Sequence, residues 1–187
     1  MGYFIEVEHL SELEKREKWE VAHRLLQEMW LADRYNSGKL IRLLSECWHV
    51  LSLWNCCIKT DNLDEWQFYE TLFESAKFGL SNFAHEPKFL CIAGYMISLL
   101  PHLFSISDTI ETYEEWEKKG KDMLRESHRL DPYDPVSEIF NIGLVSDLAG
   151  YNTAKKRILD KVNVDELFPN DTVIELYFKG ILTKFIN

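Results

Sequence analysis

Apolar side chains recur every three or four residues along most of the chain, which is the period of an amphipathic helix. The first stripe includes Trp19 and Trp30 and follows Ser11-x-x-Glu14, a capping-box pattern that predicts a helix start. A second stripe begins at Leu40, after the helix-breaking segment 35–38. Alternation with a period of two is confined to the first seven residues, where it favours one short strand at most. The pattern therefore predicts an all-α fold of about eight helices.

The third stripe predicts the inward face of a helix that restarts the chain after residues 60–62, with Glu65 placed to cap it. Its members are Trp66, Tyr69, Phe73, Ala76, Leu80 and Phe83. Pro87 suits the first position of a fourth, very apolar helix. Ser107 and Asp108 suit the cap of a fifth helix, whose Tyr113 and Trp116 are expected to face inward.

Proline and glycine mark the remaining predicted helix ends. Asp134 and Pro135 suit the cap and the first residue of the sixth helix. Gly150 is expected to end that helix. A shorter seventh helix over residues 154–162 and an apolar eighth over residues 171–186 complete the prediction.

The composition favours a large core and a reducing compartment. Because 46% of the residues are hydrophobic, the core needs no disulfide or structural metal. The four cysteines form no Cys-x-x-Cys pair, so neither a disulfide framework nor a zinc ribbon is predicted. The N-terminus has no basic region, and the apolar run 89–104 is interrupted by Pro101, so neither a signal peptide nor a membrane span is expected. These features predict a cytoplasmic protein.

The spacing of small residues and prolines between Lys88 and Pro169 resembles degenerate tetratricopeptide (TPR) repeats. The residues that carry this resemblance are Gly120, Leu124 and Ser127, then Leu130-Asp131-Pro132, then Gly150-Tyr151-x-x-Ala154. The resemblance implies helical-hairpin stacking, as in an α-solenoid, in the C-terminal half, and a scaffold that binds partners. We therefore expect one helical domain over residues 1–187, divided at most into a bundle of residues 1–87 and TPR-like hairpins of residues 88–187.

Charge is concentrated in one stretch of a chain whose net charge is −10. Residues 61–117 contain eleven acidic side chains against only Lys77 and Lys88, which gives this stretch a net charge of −9. Helical projection places acidic residues opposite the apolar stripes of the third and fifth helices, with one aromatic among them. The resulting candidate partner-binding residues are Asp64, Glu70, Glu74, Phe78, Glu111, Glu114 and Glu115.

This negative field disfavours direct binding to nucleic acid or to an anionic membrane and favours a basic protein partner. The size, acidity and helical make-up also resemble bacterial immunity proteins, the antidotes to toxins. We therefore predict a non-catalytic binding protein without a cofactor, whose acidic face occludes the basic substrate groove of a toxin nuclease. The alternative without a partner is that these charges belong to solvated helix faces and serve solubility.

Two other function classes stay open. Arg16 and His23, and likewise Arg42 and His49, lie seven residues apart on one helix face, which resembles the Arg/His motif of helical HEPN ribonucleases. The alternative is that these four residues are simply exposed on the surface. The other function class is a TPR-like adaptor that binds a peptide in the concave face of residues 88–170. Glu46, in one of three Glu-x-x-His pairs, is expected about 130° from its helix's apolar stripe, on the solvent side, so no metal site is predicted.

Overall fold

The computed structural model describes residues 2–54, 58–59, 63–105 and 112–184. Within these ranges the chain forms ten α-helices and no strand, which confirms the all-α prediction. Eight of the helices have nine residues or more, in agreement with the predicted number. The first seven residues contribute no strand among the positions described.

The helices follow one another along the chain with short connections. They are α1 (Leu10–Lys15), α2 (Trp19–Ala32), α3 (Ser37–Ser52), α4 (Glu65–Asn82), α5 (Pro87–Leu99), α6 (Tyr113–Leu130), α7 (Pro135–Gly143), α8 (Leu148–Leu159), α9 (Val164–Leu167) and α10 (Val173–Thr183). A 3-10 turn, Pro101–Leu103, lies between α5 and α6.

Local signals placed several helix starts correctly. Pro87 and Pro135 open α5 and α7, and the Asp134 carboxylate accepts a hydrogen bond from the Ser137 N–H. The cap of α6 is Thr112, whose hydroxyl pairs with Glu115 in a complete capping box. The predicted caps Ser107 and Asp108 lie outside the described residues.

Two boundary predictions were wrong. Ser11 and Glu14 form no capping box, because α1 starts one residue earlier, after His9 in the left-handed region (φ 61°), and the Glu14 side chain is buried. Gly150 ends no helix but lies in the first turn of α8, where its N–H bonds the Asp147 carboxylate at 2.7 Å. Asp147 is the N-cap of α8, and aspartate is a residue type that favours a helix start at this position.

Helix α3 is the centre of the fold and contacts α2, α4, α5 and α10. Every residue from Leu40 to Leu51 is buried, including Arg42, Glu46 and His49. The predicted solvent exposure of Glu46 and His49 was therefore wrong. Helical projection could not show that helices from both ends of the chain would cover the polar side of α3.

Helices α5 and α6 form the closest antiparallel pair. A Cβ atom on Gly120 would lie 2.5 Å from the Ser98 nitrogen and 2.8 Å from the Gly94 oxygen. Two helical turns beyond Gly120, the Ser127 hydroxyl donates a hydrogen bond to the Pro87 carbonyl at 2.9 Å. The small residues that resemble a TPR pattern thus face α5, whereas the repetition of this hairpin stays a prediction.

The N-terminal segment packs against the C-terminal helices. The Tyr3 N–H donates to the Leu167 carbonyl at 2.9 Å, and the Tyr3 ring stacks on Phe168 at 5.4 Å between centroids. The Tyr3 hydroxyl donates to the Asp134 carboxylate at the start of α7. These contacts close the core between the two ends of the described chain.

Candidate functional site

Helix α4 has a core face different from the one predicted. Its buried residues are Phe68, Thr71, Leu72, Ser75, Ala76 and Gly79. The core can hold the polar side chains Thr71 and Ser75 because their hydroxyl groups have hydrogen-bond partners. Thr71 Oγ1 lies 2.9 Å from His23 Nε2, and Ser75 donates to the Leu72 carbonyl. Of the predicted inward stripe, Ala76 is buried, Trp66 is exposed, and the other four side chains are half-buried against the core.

The α4 aromatic stripe, which we define as Trp66, Tyr69 and Phe73, lies at the boundary between the core and the surface. Trp66 is 59% exposed, whereas Tyr69 and Phe73 are half-buried. The placement of Trp66 in the core was wrong. At 100° per residue, Glu70 projects about 40° from Trp66 around the helix axis, and Glu74 about 80°. The acidic residues of α4 thus border an exposed aromatic surface.

Four carboxylates give α4 its charge. Asp64, Glu65, Glu70 and Glu74 are all exposed, and none forms an ion pair with another described residue. Asp64 Oδ1 accepts a hydrogen bond from the Trp66 N–H at 3.0 Å and so caps the helix. Lys77 is the single basic residue in the sequence of α4, and its Nζ lies 5.9 Å from the Phe73 ring centroid.

The start of α4 borders an open depression of about 570 Å³, which we call the Trp66 depression. Leu63, Asp64, Glu65, Trp66 and Tyr69 line one side, and His102, Leu103 and Ser105 line the other. Burial and the nearby Glu65 charge raise the pKa of the Tyr69 phenol. A negative charge and two aromatic rings therefore meet at one surface cavity.

The acidic residues of α6 differ from those of α4. Glu114 and Glu115 are exposed, and Glu115 Oε2 accepts the Thr112 N–H at 2.7 Å in the capping box. Glu115 also lines a second depression together with Leu80 and Ala84 from the end of α4. Glu111 lies outside the described residues. Glu115 thus lies towards the far end of α4 from Asp64, and these two candidate acids line different depressions.

Basic residues balance the acids of α6. The sequence of this helix contains five acidic and five basic residues. Several pair along the helix: Lys118 with Asp122 at 2.6 Å, Lys121 with Glu117 at 2.6 Å, and Arg129 with Glu126 at 2.6 Å. On α4, by contrast, three glutamates are opposed by Lys77 alone, so the sequence of this helix has a net charge of −2, to which the Asp64 cap adds a further negative charge.

Phe78 is half-buried beneath the end of α2. Its ring packs against Trp30, Tyr35 and Phe83 at centroid distances of 5.6, 5.7 and 6.2 Å. The Arg34 guanidinium lies over both Phe78, at 4.5 Å, and Trp30, at 4.6 Å. Phe78 is therefore covered by neighbouring side chains, and Trp66 is the exposed aromatic of α4.

Comparisons with protein-family models, with curated proteins and with solved structures each found no match to this chain. Among the described residues, no helix combines the length and apolar character needed to cross a membrane. The function must therefore be inferred from the surfaces and cavities of this structure.

Three of the four residues of the Arg/His pairs lie in the core. His23 bonds Thr71, and the His49 ring packs between Trp19 and Tyr177 at 5.8 and 6.3 Å. Burial lowers the pKa of His23, and burial together with the Arg42 charge lowers the pKa of His49 to about 4. The exposure expected for these residues was wrong for His23, Arg42 and His49, while Arg16 is exposed.

Arg42 belongs to a buried group of charges, the core charge cluster, formed by Glu14, Arg42, Glu46 and Glu175. The Arg42 guanidinium donates to Glu14, and its Nη1 lies 3.1 Å from Glu46 Oε2. The second Glu14 oxygen accepts the Val173 N–H at 2.6 Å, and Glu175 accepts the Asn170 N–H at 2.6 Å. Burial raises the pKa of both Glu46 and Glu175, against the opposing effect of Arg42. The cluster links α1, α3 and α10.

No group of three or more histidine, cysteine or carboxylate side chains is arranged to hold a metal ion within the part of the chain that the structure describes. Glu46 and His49, which form one of the Glu-x-x-His pairs, are held by Arg42 and by aromatic rings respectively. The arrangement of these side chains is that of a packed polar core.

An apolar cavity of about 360 Å³ lies in the C-terminal half. Side chains from α5, α7, α8 and α10 line it, among them Tyr95, Phe140, Leu148, Tyr151 and Ile181. Its rim includes Leu148, which is 47% exposed. The cavity has the size and apolar lining of a ligand or peptide site.

The two buried histidines predict a loss of stability in acid. A histidine that is neutral in the fold, with a lowered pKa, must be deprotonated for folding, so the unfolded chain binds more protons below pH 6.5. For His49, with a pKa of about 4, this linkage lowers the free energy of unfolding by about 2 kcal/mol between pH 7.5 and pH 5.0. Urea titrations at the two pH values measure this change.

His49→Gln is the matched variant, because glutamine keeps a polar group without the titration. We expect the pH-dependent loss in this variant to be smaller than in the wild type by about 2 kcal/mol. The exposed His9→Gln variant should retain the full wild-type loss. Equal slopes for His49→Gln and the wild type would contradict the buried, neutral state of His49.

Proposed function

We propose that this chain is a non-catalytic binding protein that docks a basic protein partner on the surface of α4. The observation that carries this proposal is a group of four exposed carboxylates, which have no ion-pair partner among the described residues, beside the exposed Trp66 ring. Interface centres favour aromatic side chains surrounded by a polar rim, and Trp is among the residues most often found at energetic hot spots.

The charge of α4 suits this role for electrostatic reasons. Concentrated charge of one sign speeds the encounter with an oppositely charged surface and fixes its orientation. On α6 the acids are offset by neighbouring bases, whereas Lys77 is the single base in the sequence of the helix that carries Asp64, Glu65, Glu70 and Glu74. A partner that places lysine or arginine there gains attraction without displacing existing ion pairs.

The more specific version of the proposal is an immunity or inhibitor protein. A toxic nuclease binds phosphate groups through lysine and arginine, and the α4 carboxylates would occupy those groups in place of phosphate. The support for this version is the resemblance in size, acidity and helical make-up together with the location of the unpaired acids.

Charge reversal on α4 tests the proposal. Partners are captured from the native host's lysate at low salt, and the captured protein is purified and titrated against variants. We expect Glu70→Lys/Glu74→Lys to weaken its binding at least tenfold at low ionic strength, about 1.4 kcal/mol, with a smaller difference at high salt because exposed charges are screened. Isothermal titration calorimetry at two salt concentrations measures both effects.

The control keeps the same change in net charge but places it elsewhere. Glu12→Lys/Glu28→Lys alters two exposed acids on α1 and α2. We expect this variant to bind nearly as tightly as the wild type. Equal weakening by both double variants, unchanged binding in the α4 variant, or capture of no basic protein would contradict docking on α4.

The apolar cavity supports a second candidate function, a peptide-binding adaptor. Its walls are formed by Tyr95, Phe140 and Tyr151, within the half of the chain that resembles TPR hairpins. Binding there would depend little on salt and would be lost on Leu148→Asp, whereas the α4 charge reversal would leave it unchanged. The same titrations therefore separate the two candidates.

A further inference from the structure

We propose that the Trp66 depression receives an arginine side chain of the basic partner. This inference rests on the proposed function and names the chemical group that α4 recognises. The depression combines an exposed indole, a tyrosine ring and two carboxylates at one end of α4. These are the groups that together bind a guanidinium ion: aromatic faces for its flat surface and carboxylates for its N–H donors.

The exposure of Trp66 sets it apart from the other tryptophans. Trp19, Trp30, Trp48 and Trp116 are each less than 5% exposed, and Trp54 is half-buried. An indole left 59% exposed on a helix that also has buried faces offers apolar area that a partner can cover. Trp is also the aromatic residue that gives the strongest cation–π attraction.

The carboxylates are partly pre-organised. Asp64 is held by its hydrogen bond from the Trp66 N–H, which ties the carboxylate to the backbone beneath the indole. Glu65 lies close enough to Tyr69 for its charge to contribute to the raised pKa of that phenol. A guanidinium at the mouth of the depression would therefore meet two negative charges, of which the Asp64 carboxylate is held in place by its hydrogen bond.

The helix dipole opposes a cation at this end of α4, but it is the weaker effect. The N-terminus of a helix carries a partial charge of roughly +0.5, whereas Asp64 and Glu65 together contribute about two negative charges at the same place. His102 lines the opposite wall, beside Leu103 and Ser105. The local balance favours a cation over an anion or a neutral group.

The same chain contains a guanidinium packed in this way. Arg34 lies 4.6 Å from the Trp30 ring centroid and 4.5 Å from that of Phe78, at the other end of α4. Arginine is preferred over lysine in such contacts because its planar group is weakly hydrated and stacks on rings, whereas an ammonium keeps its water. We therefore expect the depression to discriminate between these two cations.

Short peptides test this site without the natural partner. Hexa-arginine, hexa-lysine and hexa-citrulline, the neutral analogue of arginine, are titrated into the protein by calorimetry and by tryptophan fluorescence. We expect hexa-arginine to bind the wild type at least threefold more tightly than hexa-lysine and to change the emission of Trp66. Hexa-citrulline should show no measurable binding.

The variants remove one component each. Trp66→Ala should weaken hexa-arginine at least fivefold and remove its preference over hexa-lysine. Glu65→Gln should weaken it about threefold. Asp64→Ser should do the same, because serine removes the charge yet keeps a good helix cap. Tyr133→Ala, which removes an aromatic side chain 92% exposed in the α6–α7 turn, should bind like the wild type.

Three results would overturn the arginine site, and they separate it from the proposed function. If Trp66→Ala binds hexa-arginine as the wild type does while Glu70→Lys/Glu74→Lys loses it, the acidic docking surface stands and the Trp66 site falls. If hexa-lysine binds as tightly as hexa-arginine and both weaken equally in Trp66→Ala, the site lacks arginine selectivity. If no peptide binds any variant, both the arginine site and the charged docking surface are contradicted.

Discussion

Replacing Arg42 by methionine is expected to lower the free energy of unfolding by about 3–5 kcal/mol. The guanidinium is fully buried and faces Glu14 and Glu46, which are buried as well. Methionine fills part of the volume but leaves two carboxyl groups without their cation in an apolar interior. Chemical denaturation at pH 7.5, with the slope compared between variant and wild type, measures the loss.

Two further variants identify the cause of that loss. The triple variant Glu14→Leu/Arg42→Met/Glu46→Leu removes Arg42 together with the two carboxyl groups that face it, while Glu175 still accepts its hydrogen bonds from Asn170. This variant should recover much of the stability, since a buried ion pair gains little over apolar packing. Arg129→Met, at an exposed pair with Glu126, should change stability by less than about 1 kcal/mol. A loss in Arg42→Met as small as in Arg129→Met would show that the core charge cluster is not closed to water.

Gly120→Ala is expected to destabilise the protein by about 2 kcal/mol, although alanine is the better helix former. The added methyl group would meet backbone atoms of α5 at 2.5 to 2.9 Å, and backbone cannot rotate away as a flexible side chain can. The two helices would have to separate along their closest contact. Thermal and urea unfolding both measure this change.

Gly180→Ala is the matched control for the glycine prediction. Gly180 lies in α10, and a Cβ atom built there has no neighbour within 4 Å. Alanine should therefore stabilise the protein by about 0.5–1 kcal/mol through helix propensity alone. The two substitutions are chemically identical, so opposite signs isolate the effect of the α5–α6 contact. Stabilisation by both would mean that this contact is looser than the structure has it.

Local chemistry made much of the fold predictable from the sequence. The helical period along the chain, and the prolines at residues 87 and 135, depend on contacts within one or two turns. The orientation of each helix was harder to predict. Trp66 was expected in the core on hydrophobicity, yet α4 instead buries Thr71 and Ser75, whose hydroxyls are satisfied by His23 and by the backbone.

The candidate surface was predictable only in part. The acids of α4 are exposed as expected, because nothing in their sequence favours burial. The core charge cluster depends on partners 28 and 159 residues apart, Glu14 with Arg42 and Glu14 with Val173, which no local pattern reports. The acid-rich stretch counted from the sequence also ended at residue 117, just before the basic residues that form ion pairs along α6.

The contact between the two ends of the described chain has a consequence for synthesis on the ribosome. Helix α3 is made early, but Val173, Tyr177 and Phe178, which close its polar side and the N-terminal segment, are made more than a hundred residues later. Until then Arg42, Glu14 and Glu46 remain hydrated, and the nascent chain cannot complete its core. Packing of the core must therefore wait until α10 has left the ribosome, and a nascent chain that still lacks α10 exposes apolar helices that chaperones can shield.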